Sequence, residues 1–145
     1  MSETPRRLRI LFVDDDASVL DALRRSLFRR DEVWEMHFLD SGAAALDALR
    51  TTDFDVVISD MNMPGMGGSE LLEQVRSTHP EVVRIAFSGW SESGSSPPHQ
   101  EPLAHQFLDK PIDIRELAGA IDRACQLRRR LDHGSLREFI GTLTG

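Results

Sequence analysis

Four places in this chain put a reactive or charged residue directly after a short apolar run. Asp14, Asp15 and Asp16 follow Leu8, Ile10, Leu11, Phe12 and Val13. Asp60 follows Val56, Val57 and Ile58, Ser88 follows Val82, Val83, Ile85, Ala86 and Phe87, and Lys110 follows the stretch from Gln106 to Asp109. Apolar and β-branched runs of this length suit buried strands and are too short for helices. Each chemical group therefore sits at the carboxyl end of a strand, where open α/β sheets bind their ligands.

In a doubly wound sheet of order 2-1-3-4-5, the ends of strands one and three are neighbours at the switch point, so Asp14, Asp15 and Asp60 converge. Three close carboxylates repel one another unless a cation lies among them, and hard oxygen donors favour Mg²⁺, commonly completed by a phosphate oxygen. Such a metal neutralises phosphoryl oxygens, which lets a carboxylate attack phosphorus. Asp60 is the expected nucleophile, because Pro64, Gly65, Gly67 and Gly68 turn the chain directly after it. Ser88 offers a hydroxyl donor and Lys110 a compact positive charge for the same oxygens. Taken singly, Ser88 could cap a strand and Lys110 could be a surface lysine; four complementary strand ends together favour phosphoryl chemistry.

The elements that must position these groups read in order. After the first strand, Val19, Leu20, Leu23, Leu27 and Phe28 recur at helical spacing, with Arg24, Arg25, Arg29 and Arg30 mostly opposite. Val33 to Leu39 reads as an edge strand. Asp40, Ser41 and Gly42 supply an N-cap for a short helix from Ala43 to Leu49. A helix opening at Gly68 or Ser69 buries Leu71, Leu72 and Val75 and must end by His79 and Pro80. The stretch from Ser91 to Pro102, with Gly94, Pro97, Pro98 and Pro102 among serines, has loop chemistry. Asp113 caps the longest helix, whose apolar face is Ile114, Leu117, Ala118, Ile121, Ala124, Cys125 and Leu131. Strands alternating with helices imply one five-stranded parallel sheet covered on both faces.

Composition agrees with one domain: 145 residues, 40% apolar and 28% charged. The net charge of −7 argues against nucleic acid as a direct partner, and the basic runs at Arg6, Arg7, Arg9 and at Arg128 to Arg130 read as solvated faces. One cysteine, Cys125, excludes an internal disulfide and a zinc cluster. The single cysteine makes a reducing cytoplasm the expected setting, and since no stretch approaches the ~20 apolar residues of a membrane span, a soluble protein is expected. The five histidines lack ligand spacing on one helix face. Trp90, two residues past Ser88, either packs or shields an acyl phosphate from water.

The motifs from Ile10 to Asp16, Asp60 with Met63, Pro64, Gly65, Met66 and Gly68, Ser88 with Gly89, and Phe107 to Pro111 resemble the receiver domain of two-component response regulators. Asp60 lies 45 positions after Asp15, Ser88 lies 28 after Asp60, and Lys110 lies 22 after Ser88, and this spacing agrees with the family. The resemblance implies a flavodoxin-like (CheY-like) fold and transfer of phosphate to Asp60 from a histidine kinase or phosphotransfer protein. It implies Mg²⁺ held by Asp15, Asp60 and the backbone carbonyl of Asn62, with Asp14 helping through water. It makes Ser88 and Phe107 the pair that shifts on phosphorylation, and it implies no enzyme activity beyond self-phosphorylation and self-dephosphorylation.

Two departures stand out: Gly67 replaces an aspartate at a turn, and Ser91 to Pro102 stands in place of the family's fourth helix, which should be degenerate. The segment Ala104 to Pro111, with Arg123, Ala124, Cys125 and Leu127, resembles receivers fused to an HDOD output domain, a degenerate relative of HD phosphohydrolases. Residues 1–7 then form a tail, 8–131 the receiver and 132–145 the start of a linker. Leu127, Leu131 and Leu136 continue an apolar seam suited to a homodimer. Two alternatives compete: a pseudo-receiver that binds partners without phosphorylation, and a haloacid-dehalogenase-type phosphatase with Asp14 as nucleophile. The residue that becomes acylated by phosphate separates them.

Overall fold

The computed structural model describes residues 7–61, 67–88, 104–109 and 112–132; for residues 31, 32, 88 and 127–132 it describes the backbone. The chain runs β1 (Leu8–Val13), α1 (Ala17–Ser26), a 3₁₀ turn (Phe28–Glu32), β2 (Trp34–Leu39), α2 (Gly42–Thr51), β3 (Val56–Asp60), α3 (Gly68–Thr78), β4 (Val83–Ser88), β5 (Gln106–Asp109) and a final helix, α4 (Ile114–Asp132). The strands form one sheet of order β2-β1-β3-β4-β5, parallel at every pairing. This is the expected five-stranded, doubly wound arrangement.

Alternation along the strands builds two cores. Ile10, Phe12, Val56, Ile58, Val83 and Ile85 pack with Leu20 and Leu23 of α1 and Leu117 and Ile121 of α4. Leu11, Val13, Val57 and Ala86 pack on the other face with Ala45 and Leu49 of α2 and Leu71, Leu72 and Val75 of α3. Apolar contact on both faces explains why all five residues of β3 are buried, including Ser59 and Asp60. Phe54, just before β3, joins the second core and closes edge-on against His37 at 5.0 Å.

Three of the helices, α1, α2 and α4, start where side-chain oxygens meet their first N–H groups, whereas α3 starts after Gly67 with no side-chain cap. Asp16 accepts from the Ser18 N–H at 2.9 Å, Ser41 from Ala44 at 3.1 Å and Asp113 from Arg115 at 2.9 Å. The expected helical run through Phe28 is corrected at its end. Leu27 leaves helical geometry and its N–H closes on the Leu23 carbonyl. Leu27 then fills the core while Phe28, in the 3₁₀ turn, is 70% exposed. Val33 precedes β2 and is exposed as well. On α4, Ala120 is buried although it lay outside the expected face, and Cys125 is half-buried. The stretch from Ser91 to Pro102 lies outside the described residues. No helix among the described residues is long and apolar enough to cross a membrane.

Candidate functional site

β1 and β3 lie side by side, with Val13 opposite Ser59. The next residues on each, Asp14 and Asp15 on one side and Asp60 on the other, meet at the carboxyl rim. One carboxylate oxygen from each lies within 4.8 Å of the others. Asp14 and Asp60 are 2% and 3% exposed, whereas Asp15 is open to solvent. Asp16 has a different use: its Oδ1 accepts from both the N–H and the hydroxyl of Ser18, at 2.9 and 2.6 Å. It caps α1, while its own N–H donates to Asp14 Oδ1 at 2.9 Å. The loop that carries two of the carboxylates is thereby tied to the start of a helix.

The main chain at Asp60 is held from several directions. Asp60 is in register with Phe87 of β4, and the Met61 N–H donates to the Phe87 carbonyl at 2.9 Å. The Gly68 N–H donates to the Met61 carbonyl at 3.2 Å. α3 begins so close to this peptide that a Cβ on Gly68 would lie 1.9 Å from the Asp60 carbonyl oxygen. The glycine is required by that approach. The Ser59 hydroxyl donates to the same carbonyl oxygen at 3.0 Å. Reasoning from sequence gave Ser59 no role, because a serine inside a strand carries no signal of what its hydroxyl will meet.

The other expected site residues are placed unevenly. Ser88 ends β4 in register with Asp109, but its side chain is outside the described part, and so are Asn62, Lys110 and Trp90. Phe107 pairs with Ala86 on β5 and is 38% exposed. Its neighbour Leu108 points into the core of α1 and α4. One residue before β5, His105 makes a double contact with Arg84 of β4. The Arg84 N–H donates to His105 Nδ1 at 2.9 Å, and the His105 N–H donates to the Arg84 carbonyl at 2.7 Å.

His105 is exposed as a residue, yet its Nδ1 edge faces the strand. Burial of that edge, and then the Arg84 guanidinium, lower its pKa from 6.5 to about 4. A protonated Nδ1 would also have no lone pair for the Arg84 N–H. Arg84, 5% exposed, is itself lowered by burial and then by Arg76, and it donates to the Val82 carbonyl at 3.1 Å. At the far side of the sheet, the His37 ring, and less strongly Arg9, lower the Glu35 carboxyl against the opposing effect of burial.

Three carboxylates, two of them buried, form a hard-oxygen donor set that fits a divalent cation such as Mg²⁺ and leaves coordination positions for water and a phosphoryl oxygen. A parallel sheet of this order, with such a cluster at its switch point, defines a receiver-type signalling domain. Residues 10–122 match the response regulator receiver domain family, and the chain belongs to it. It is 37% identical over 112 residues to the DNA-binding transcriptional regulator NtrC of Klebsiella pneumoniae, covering 77% of this chain and 24% of that protein. The chain thus spans about a quarter of the length of the NtrC and FleR regulators it matches. Among solved structures, the signal receiver domain of an HD domain-containing protein from Pseudomonas fluorescens Pf-5 superposes with a TM-score of 0.74 at 28% identity, over 86% of this chain and 98% of that one. The response regulator TrrA of Thermotoga maritima, in complex with Mg²⁺-BeF, superposes with a TM-score of 0.70 at 25% identity, over 81% of this chain and 98% of that one.

Proposed function

We propose that Asp60 is the phosphoryl acceptor of this receiver, loaded by a histidine kinase or phosphotransfer protein, and that its phosphorylation switches a partner or output domain. The observation that carries this reading is the meeting of Asp14, Asp15 and Asp60 at the switch point, with Asp60 at the end of the central strand. Asp14, Asp15, Asp60 and the Asn62 backbone carbonyl would hold Mg²⁺. When bound, the ion supplies positive charge to the phosphoryl oxygens and to the acceptor carboxylate. The structure of TrrA with Mg²⁺-BeF supports the assignment by likeness.

In the transfer, an Asp60 carboxylate oxygen forms a bond to phosphorus as the P–N bond of phosphohistidine breaks, and the imidazole leaves with the electron pair and takes up a proton. Hydrolysis later returns the carboxylate and inorganic phosphate. Ser88 donates a hydroxyl hydrogen bond and Lys110 an ammonium group to the phosphoryl oxygens, and Phe107 moves with Ser88. No other substrate is turned over.

Residues 8–131 form the receiver, 1–7 a tail and 132–145 the start of a linker. An HDOD output domain is the partner implied by the segment Ala104 to Pro111 with Arg123, Ala124, Cys125 and Leu127, which resembles receivers fused to such a domain, and the likeness to a receiver from an HD domain-containing protein supports it. A homodimer through Leu127, Leu131 and Leu136 is the corresponding assembly, in a cytoplasmic setting. The test is incubation with acetyl phosphate and Mg²⁺ followed by mass mapping. Modification of Asp60, abolished in Asp60→Asn, is the expected result. Modification of Asp14 would point to the phosphatase, and no modification to the pseudo-receiver. Lys110→Ala should still take up phosphate but weaken the link between phosphorylation and partner binding.

A further inference from the structure

Ser59 is fully buried on the strand that ends at Asp60. Val57, two residues earlier on the same face, packs among the apolar side chains of α2 and α3. A hydroxyl in such surroundings is costly to bury unless it is bonded, and the Ser59 hydroxyl donates to the Asp60 carbonyl oxygen at 3.0 Å.

That carbonyl lies where the sheet gives out. The β1–β3 pairing ends at Val13 opposite Ser59, whereas the β3–β4 pairing runs on through Asp60 opposite Phe87. The C=O and N–H of one trans peptide point in opposite directions. Because the Met61 N–H bonds to Phe87 of β4, the Asp60 carbonyl points away from β4, to the side where the β1 ladder has already stopped. Gly68 packs against the same oxygen. On this side the Ser59 hydroxyl and the close approach of Gly68 both bear on the peptide.

We propose that Ser59 is a positioning residue for phosphoryl transfer. Its hydroxyl sets the tilt of the Asp60 peptide, and through it the placement of the Asp60 carboxylate relative to Asp14 and Asp15. The inference rests on Asp60 being the acceptor, and it adds a residue that touches neither the metal nor the phosphoryl group. A misplacement of about 1 Å in a reacting group is enough to cost up to about a hundredfold in rate; a tilt of one peptide should cost about tenfold.

The experiment uses the full chain with Ser59→Ala, Ser59→Val, Ser59→Thr and Asp60→Asn. Threonine and valine have nearly the same shape, so they share any packing cost and differ in the hydroxyl. Three quantities are measured: the maximal rate and half-saturating concentration for acetyl phosphate, the Mg²⁺ dissociation constant by calorimetry, and the melting temperature. Ser59→Ala and Ser59→Val should lower the maximal rate about tenfold and weaken Mg²⁺ binding, with the half-saturating concentration moving less. Ser59→Thr should recover the rate to within about twofold of wild type. A purely structural serine would change the melting temperature while leaving the rate, measured well below melting, untouched. Wild-type rates in Ser59→Ala, or equal rates in the valine and threonine variants, would overturn the proposal. Undiminished phosphate uptake by Asp60→Asn would instead overturn the acceptor assignment, and the inference with it.

Discussion

Replacing Gly68 with alanine sets two opposed effects against each other at the first residue of α3. Local propensity favours alanine: the exchange is worth up to ~1 kcal/mol inside a helix, and a stiffer unfolded chain adds in the same direction. The structure opposes it. The new Cβ would lie 1.9 Å from the Asp60 carbonyl oxygen and 2.7 Å from both the Asp60 carbonyl carbon and Met61 Cα, all of them backbone atoms. Ordinary contact requires a retreat of more than about 1 Å. Neither side moves freely. Asp60 and Met61 are held by β4, and α3 is anchored by Leu71 and Leu72, both fully buried. Overpacking of this kind costs about 1–3 kcal/mol, and backbone partners place it at the upper end. After the propensity gain is subtracted, Gly68→Ala should lose about 2 kcal/mol, roughly an 8 °C drop in melting temperature for a domain of this size. Urea unfolding followed by circular dichroism measures the loss, and acetyl phosphate labelling of the same samples should show slower uptake. Stability equal to or above wild type would refute the reasoning, because the start of α3 would then yield at no cost.

Other outcomes follow from the same geometry. His105 binds fewer protons folded than unfolded between its ordinary 6.5 and about 4, so its contribution is complete above pH 6.5 and disappears as pH falls through about 4. Discounted for the exposed part of the ring, that contribution is about 1 kcal/mol. His105→Asn keeps an acceptor for the Arg84 N–H without titrating, and should shrink the difference in urea stability between pH 7 and pH 4.5 by that amount; an unchanged difference would show that the ring is not the group responsible. Saturating Mg²⁺ should raise the melting temperature of the wild type, by the equivalent of about 1.4 kcal/mol at ten times the dissociation constant, and Asp15→Asn should lose most of that rise. Without Mg²⁺ the same variant should be at least as stable as wild type, since one of three repelling carboxylates is gone; an equal rise in both proteins removes Asp15 from the ligand set. Leu71→Ala and Ile121→Ala, fully buried on opposite faces of the sheet, should each cost about 2–5 kcal/mol in chemical denaturation. Their double variant should be additive to within ~0.5 kcal/mol, and a larger coupling would mean that the two cores are not independent.

Much of this site could be read before any coordinates, because it follows from topology. A parallel sheet with right-handed crossovers brings the ends of its first and third strands together, so Asp14, Asp15 and Asp60 meet by rule once the apolar runs are recognised as strands. The caps at Ser41 and Asp113 were legible for a similar reason: a short oxygen-bearing side chain before an apolar period has one common use. What escaped depends on contacts in space. Helical spacing runs unbroken through Phe28, and nothing local announces that Leu27 closes the helix a residue earlier. Nothing in the run of three aspartates announces which of them caps α1, and the engagement of Asp16 with Ser18 appears once the start of α1 is seen. Ser59 and His105 act on main-chain groups, and those groups are identical at every position of a sequence.

A strand of four residues at the edge of a sheet has little to stop it sliding. β5 is such a strand, and the residue before it grips both main-chain polar groups of Arg84, one with its ring and one with its own main chain. That double hold fixes which residue of β5 lies opposite which residue of β4. A slip by one place would exchange Leu108 and Phe107, drawing the aromatic ring inward and pushing the leucine out. The outward stance of Phe107 is therefore decided two positions upstream, by an imidazole that must stay neutral to keep its grip. Acid should free this border of the sheet before the centre yields.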